Sequence, residues 1–396
     1  PAGSAGVNGP GAAKVTGPAG RQAVLAAARE AADVAAAHAV TADRDAAFPA
    51  AAMGELARTG LLAAALPVEL GGLDCDLTTL VEVARTLARG CGSTAMIWAM
   101  HQVQVACVAR HCEQATPPAQ LLAKLVAADH LIASATSEEG IGGNIRISGV
   151  ALLGHGPTRS LDKRASTVSY GLEAGGYLVT ARRAPDAPPG DQVAVLVPRD
   201  QVTVDVIRAW NPMGMRATAS PALRLRATFE AANILPEPFA SVAATTMVPL
   251  SHLLWSAVWI GLATEAFERA RQLLRSRHRA GTGPVDPRLA AADTILTGLT
   301  TRLAGAVRDY HACHLDRAEP QVSLGVTLNA LKVAASEDSL RVAERALEIC
   351  GMAGYREDGE HSIARILRDL YSARLMIAND RLLATNATAL LAVRRG

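Results

Sequence analysis

The chain runs to 396 residues with a formal net charge of +2, half of its residues hydrophobic. That length exceeds a single ordinary core and predicts two or three domains, while so balanced a charge excludes a dedicated nucleic-acid binder. Six cysteines (Cys75, Cys91, Cys107, Cys112, Cys313 and Cys350) form no CxxC pair and no His/Cys cluster, which excludes a zinc site and reads as reduced, mostly buried thiols of a cytoplasmic protein.

Residues 1–20 are rich in Gly, Ala and Pro and read as a flexible leader. They lack the basic and apolar regions of a signal peptide. From 21 to 130 the chain is alanine-rich, which favours helix. Segments 21–40, 45–60, 75–90, 93–112 and 118–128 carry apolar residues at three- and four-residue spacing, so a helical domain is expected. His101 lies on the fourth of these. Pro67 and Gly71-Gly72 interrupt the pattern.

Near 131 the period changes. An apolar run leads into a turn with Gly140, Gly142 and Gly143, two carboxylates and two hydroxyls. Glycine lets backbone N–H groups approach a ligand closely, although most such turns are only turns. Val193–Val197 is a short apolar run, Val202, Val204 and Val206 alternate with polar residues, and Leu223 and Leu225 alternate with Arg224 and Arg226. Period two means strands with one buried face, and 131–242 is expected to be a β-barrel or sandwich.

From 243 to 396 the chain is helical again, with no proline after Pro320. Segments 245–279, 287–317, 322–350 and 361–393 predict a four-helix bundle. Ser251, His252, Ser256 and Thr264 break the apolar stretch at 243–267, so no transmembrane helix is expected. Helices, then strands, then helices make an α+β fold that is mainly α.

Several stretches carry a resemblance. Ser137-Glu138-Glu139-Gly140-Ile141-Gly142-Gly143-Asn144 looks like a divergent Thr-Glu-Pro-Gly-x-Gly-Ser-Asp turn. Trp210–Thr218 resembles a Leu-Gly-Met-Arg-x-Ser/Thr segment, and Leu347–Tyr355 a Gln-x-x-Gly-Gly-x-Gly-Tyr segment. Ile366-Leu367-Arg368-Asp369 resembles an Arg-Asp pair, and Leu66–Gly72 a turn used near the same place. In this order they resemble the acyl-CoA dehydrogenase family. The resemblance implies that family's three-part fold and FAD, bound between the β domain and the bundle. It implies a homodimer or homotetramer, in which a second subunit covers the adenine end. It also implies an acyl thioester substrate, on CoA or an acyl carrier protein, and an electron-transfer or flavin-reductase partner; the balanced charge and the interrupted apolar stretch, for their part, argue for no nucleic acid and no membrane.

Matching residue by residue places Ser137, Gly142 and Gly143 in the cofactor-binding turn. Ser169 falls where a hydroxyl meets flavin N5, or is an ordinary strand serine. Thr167 stands where the family has a shielding tryptophan. Arg277 falls on the arginine that meets the FAD pyrophosphate, or is a basic helix end complementing the dipole. Glu348, Gly351, Met352 and Gly354 border the cofactor, or form a helix-to-helix turn. Asn379 takes the place of a cofactor-binding hydroxyl.

The catalytic base is where the chain departs. The usual glutamate position holds Ile377, and the alternative position holds Ser251. Isoleucine takes no proton and is left to line the substrate pocket. His252 and Asp380 are the nearest ionisable groups and the candidate catalytic residues; their alternatives are a packed helix residue and a surface ion pair. His101 lines the acyl pocket by resemblance, or packs in the core. Three activities stay open: desaturation with a non-standard base, flavin-dependent monooxygenation, and a non-catalytic scaffold.

Overall fold

The computed structural model describes residues 18–281, 285–315 and 322–392. Residues 1–17 of the expected leader lie outside the described residues, as do the last positions of the helices expected at 287–317 and 361–393.

Five helices form the N-terminal part: α1 (Pro18–Asp45), α2 (Ala50–Arg58), α3 (Leu77–Gly90), α4 (Gly92–His111) and α5 (Pro117–Ala127). Local chemistry sets their ends. Asp76 caps α3 by accepting the Thr79 N–H at 2.7 Å, which satisfies one orphan donor. Pro117 opens α5, where the missing N–H has no partner to lose. α4 is buried on nearly every side, as suits a helix at the centre of a molecule.

The middle part contains β1 (Ile132–Ala135), β2 (Thr158–Ala165), β3 (Gly176–Arg182), β4 (Gln192–Pro198), β5 (Val202–Arg208) and β6 (Ala222–Glu230). They make two three-stranded sheets, ordered β1-β3-β4 and β2-β6-β5. β1 runs parallel to β3 and the other pairings are antiparallel. β2 hides from the alternation rule because a lysine takes an inward position: Leu161, Lys163 and Ala165 are all buried. Lys163 Nζ donates to Thr180 O at 2.7 Å and to Thr180 Oγ1 at 3.0 Å, tying one sheet to the other. α4 packs on β1 and α5 on β4, so β3 and β4 are buried along nearly their whole length.

The C-terminal part starts with α6 (Phe239–Val242), which passes through a π-helical stretch, Ala243–Met247, into α7 (Val248–Arg279). α8 (Pro287–Leu315), α9 (Val322–Cys350), α10 (Met352–Tyr355), α11 (Ala364–Tyr371) and α12 (Asn379–Leu390) follow. α7 packs against α3, α8 and α9. Gly261 permits the close approach to α3, since a Cβ there would lie 2.6 Å from the Arg85 carbonyl. The continuous helix Phe239–Arg279 is long and apolar enough to cross a membrane, yet 89% of its most apolar window is buried inside the fold. It is the core helix of the bundle.

One expected element is corrected. The single helix expected over 361–393 is broken into α11 and α12, because the chain turns over 372–378 and Ile377 takes φ 57°. The two short helices share the fourth place in the bundle.

Candidate active site

A cavity of about 780 Å³ opens where the three parts meet. Its β-side wall bears hydroxyls, among them Ser134, Thr136, Ser137, Thr167, Ser169 and Ser220. Ser137 Oγ donates to the Thr167 carbonyl at 2.8 Å. Ser220 Oγ donates to Ser169 Oγ at 2.9 Å, so the Ser169 hydroxyl keeps its own proton for the cavity. The opposite wall is apolar, with Met96 and Met100 on α4 and Trp255 on α7. Met247, from the π-helical stretch, joins them; such bulges are frequent at functional sites.

Two clasps fix the loops that close the cavity. The first joins the Gly214-Met215 segment to the Arg368-Asp369 pair. Met215 holds φ 52°, and its N–H donates to Asp369 Oδ1 at 2.6 Å. A Cβ on Gly214 would lie 1.9 Å from the Arg368 carbonyl, so only glycine lets the two backbones touch. Burial pushes the Asp369 carboxyl up to about 6. Arg368 is held by Asp43 Oδ2 at 2.5 Å and Glu357 Oε2 at 3.1 Å.

The second clasp is Lys332 on α9, which is fully buried. Its Nζ donates to Ile377 O at 2.6 Å, Asn379 Oδ1 at 2.8 Å and Ala373 O at 3.0 Å. It also lies 5.5 Å from the Trp259 ring centroid. Burial pushes the ammonium down to about 8. The turn it holds puts Leu375, Met376 and Ile377 on the cavity wall.

The Gly-rich turn has its own support. Gly140, Gly142 and Gly143 take φ of 89°, 58° and 73°, a region that favours glycine. Arg381 donates to the carbonyls of Gly142 and Gly143. Glu138 points into the β domain, accepting from Ser148 Oγ at 2.7 Å and the Gly149 N–H at 2.8 Å.

The structure gathers some of the sequence candidates and separates others. Ser137, Gly143, Ser169 and Ile377 line the cavity, and Gly142 adjoins it in the same turn. His101 does not reach it. Its ring bridges elements instead, with Nε2 2.9 Å from the Leu62 carbonyl and Nδ1 accepting the Ile132 N–H at 3.0 Å. Met100, one residue earlier on α4, lines the cavity instead. His252 faces a second cavity of about 450 Å³, with Nε2 3.0 Å from Asn329 Oδ1. Burial pushes it down to about 4. Asp380 is exposed in the first turn of α12, and Asn379 turns toward α9. Trp259 is core, whereas Trp255 lines the cavity.

Arg277, Glu348, Gly351, Met352 and Gly354 collect elsewhere, at the ends of α7 and α9. Arg277 Nη1 donates to the Ile349 carbonyl at 3.5 Å. Glu348 accepts from Arg345 at 2.8 Å. Gly351 takes φ 60°, Met352 is 72% exposed, and Gly354 packs on Cys350. Apart from the buried Gly354 they form a surface patch, and none of the five lines the cavity.

Sequence reasoning missed Lys332 and most of the methionines, and singled out Asp369 only as part of a motif. A lone lysine inside Ala330-Leu331-Lys332-Val333-Ala334 carries no motif; its placement in an apolar run was the one available sign. Of the residues lining the cavity, none is a carboxylate or a histidine; the ionisable ones are Tyr170, Tyr371, Arg368 and Arg374. Among the described residues no group of His, Cys, Asp and Glu is placed to hold a metal.

The chain matches the acyl-CoA dehydrogenase N-terminal domain over residues 19–129 and the acyl-CoA dehydrogenase C-terminal domain over residues 242–377. It is 26% identical to L-evernosamine nitrososynthase of a Micromonospora species over 362 residues, covering 86% of this chain and 82% of that protein. It is 24% identical to dibenzothiophene monooxygenase of Rhodococcus qingshengii over 360 residues, covering 80% and 81%. The crystal structure of KijD3 with FMN and dTDP-3-amino-2,3,6-trideoxy-4-keto-3-methyl-D-glucose shares the fold, with a TM-score of 0.83, 22% identity and 97% of each chain covered. Both helical ends of the fold are thus matched on either side of the clasped cavity, and the chain belongs to the acyl-CoA dehydrogenase family.

Proposed function

We propose that the chain is a flavin-dependent monooxygenase built on the acyl-CoA dehydrogenase fold. The observation that carries this reading is the cavity wall: its lining residues include no carboxylate and no histidine. Desaturation of an acyl thioester needs a base over the α-carbon. Ile377 occupies that ground, with Ser251 on the facing helix. His252 and Asp380 lie outside the cavity. Monooxygenation needs no such base, and the nitrososynthase and dibenzothiophene monooxygenase relatives support it.

The residues fit a flavin. A volume of about 780 Å³ lies within the range of small-molecule sites. One wall offers hydroxyls to a polar ring edge, and the methionine and tryptophan side chains stand across the space that the ring leaves for substrate. Bound reduced flavin supplies, with dioxygen, the oxygen atom passed to substrate. Ser169 would donate its free proton to the ring edge. Met100, Met247 and Trp255 keep water from the reacting face, and the Lys332 clasp holds Ile377 against the substrate. In the family pattern the cofactor is FAD, and Arg277 of a second copy would meet its pyrophosphate; the KijD3 structure carries FMN.

The test is an anaerobic titration of the flavin-loaded protein with butyryl-, octanoyl- and benzoyl-CoA. No bleaching is expected, together with oxygen consumption once a flavin reductase and NADH are supplied. Rapid anaerobic bleaching by any thioester would sink the monooxygenase reading.

A further inference from the structure

Six of the eight methionines in the chain line the one cavity: Met96, Met100, Met213, Met215, Met247 and Met376. They come from α4, the loop before β6, the entry to α7 and the turn after α11, so no single helical stripe explains them. Methionine is unbranched and polarisable and packs well against aromatic ring edges. A wall made of it reshapes around a flat, polarisable body.

The mouth has different chemistry. Met213, Tyr371 and Leu375 border the cavity and are 57%, 43% and 80% exposed. Arg368 is already neutralised by Asp43 and Glu357. Arg374 also borders the cavity and is exposed. It has no hydrogen-bond or ion-pair partner among the described residues. Its backbone belongs to the turn pinned by Lys332, so the guanidinium is carried on a fixed base. A planar guanidinium suits an oxyanion.

We propose that the cavity takes an amphipathic anion, with a flat aromatic body among the methionines and one oxyanion, a carboxylate or a phosphate, on Arg374. The proposal rests on the reading that flavin takes the hydroxyl-bearing side and leaves the methionine side to substrate. Arg374 is then the residue that sets charge specificity.

Titration calorimetry of the flavin-loaded protein with 2-naphthoate, 2-naphthyl phosphate and the neutral 2-naphthamide tests it. At least one anion is expected to bind tighter than the amide, by about tenfold or more for a charge-assisted contact. The tighter anion identifies the oxyanion. Arg374→Gln should abolish the preference while leaving amide binding unchanged, and Arg374→Lys should restore part of it. Equal binding of amide and anions overturns the proposal. So does a preference that survives Arg374→Gln, or no binding of any probe up to its solubility limit. No reduced flavin enters the assay, so its outcome is separate from the reaction type: thioester bleaching defeats the monooxygenase reading alone, and indifference to charge defeats this one alone.

Discussion

Lys332 and Ile377 lie on different elements, yet the Lys332 ammonium donates to the Ile377 carbonyl at 2.6 Å. A buried cation thereby holds the residue that stands where the family's base belongs. The same group satisfies Ala373 O and Asn379 Oδ1, so the geometry of the turn depends on one side chain.

Lys332→Met is therefore expected to leave the Ala373 and Ile377 carbonyls without this donor, while Asn379 Oδ1 keeps Ser336 Oγ at 3.2 Å, and to cost on the order of 2–3 kcal/mol. Urea unfolding measures the loss. Flavin retention should fall as well, because the turn forms the cavity wall. Lys332→Arg, which keeps the charge, should recover part of both. Unchanged retention in Lys332→Met would refute the clasp.

His101 and His252 are both pushed by burial down to about 4. The folded protein then binds fewer protons than the unfolded chain between about pH 4 and 6.5. Stability contributed by the neutral rings is complete above that window and is lost as pH falls through it, by about 3 kcal/mol for each ring. His252→Gln should flatten the acid limb of a stability–pH curve. The same variant should leave the rate–pH profile near neutrality unchanged, since a group titrating near 4 stays neutral there. A shift of the rate profile would return His252 to the chemistry.

Asp369 acts with the opposite sign. Its folded value near 6 lies above the ordinary carboxylate range, so its contribution is complete at low pH and is lost as pH rises toward 6. Asp369→Asn keeps an acceptor for the Met215 N–H and removes this opposing trend. The expected result is a steeper acid loss than in the wild type, read from thermal unfolding between pH 4 and 7. Asp369→Ala, which leaves the Met215 N–H unpaired, should also weaken flavin retention.

Arg277 lies outside the cavity of its own chain, at the exposed end of α7. If the retained cofactor is FAD, Arg277→Ala should weaken its binding by the loss of one charged phosphate contact, about 1.5–3 kcal/mol. Retention of FMN, which lacks the second phosphate, should fall less. Flavin released on denaturation and separated by chromatography gives both numbers. Equal effects on FAD and FMN would remove the patch from the cofactor site.

The parts of the fold that follow a period were legible. α3, α7, α9 and β4 to β6 come directly from apolar spacing. β2 was hidden because Lys163 occupies an inward position, and burial of a lysine follows from a partner on another strand that no local pattern reveals. The break between α11 and α12 was hidden for a related reason. Nothing in Arg374–Asn379 is a helix breaker, and the turn exists because a lysine on α9 binds its carbonyls. In the site, residues on the hydroxyl wall and Ile377 were found through motifs, whose spacing is local. His101 and His252 were misleading because a helix face is fixed by packing: one residue along the helix, about 100° of rotation, separates His252 from the cavity-lining Ser251.

Among the described residues, seven other than glycine hold a positive φ, and Tyr170, Met215 and Ile377 are the three of them that border the cavity. Such conformations cost about 1–3 kcal/mol each and persist because surrounding contacts impose them. Local unfolding releases that cost. The turn at 372–378 should thus open far more often than the long helix it leans on. Its amides are expected to exchange with deuterium before those at the centre of α9, and a bound ligand should slow them most. The wall of the cavity would then breathe at a rate set by one buried lysine, which gives substrate a way in without any movement of the bundle.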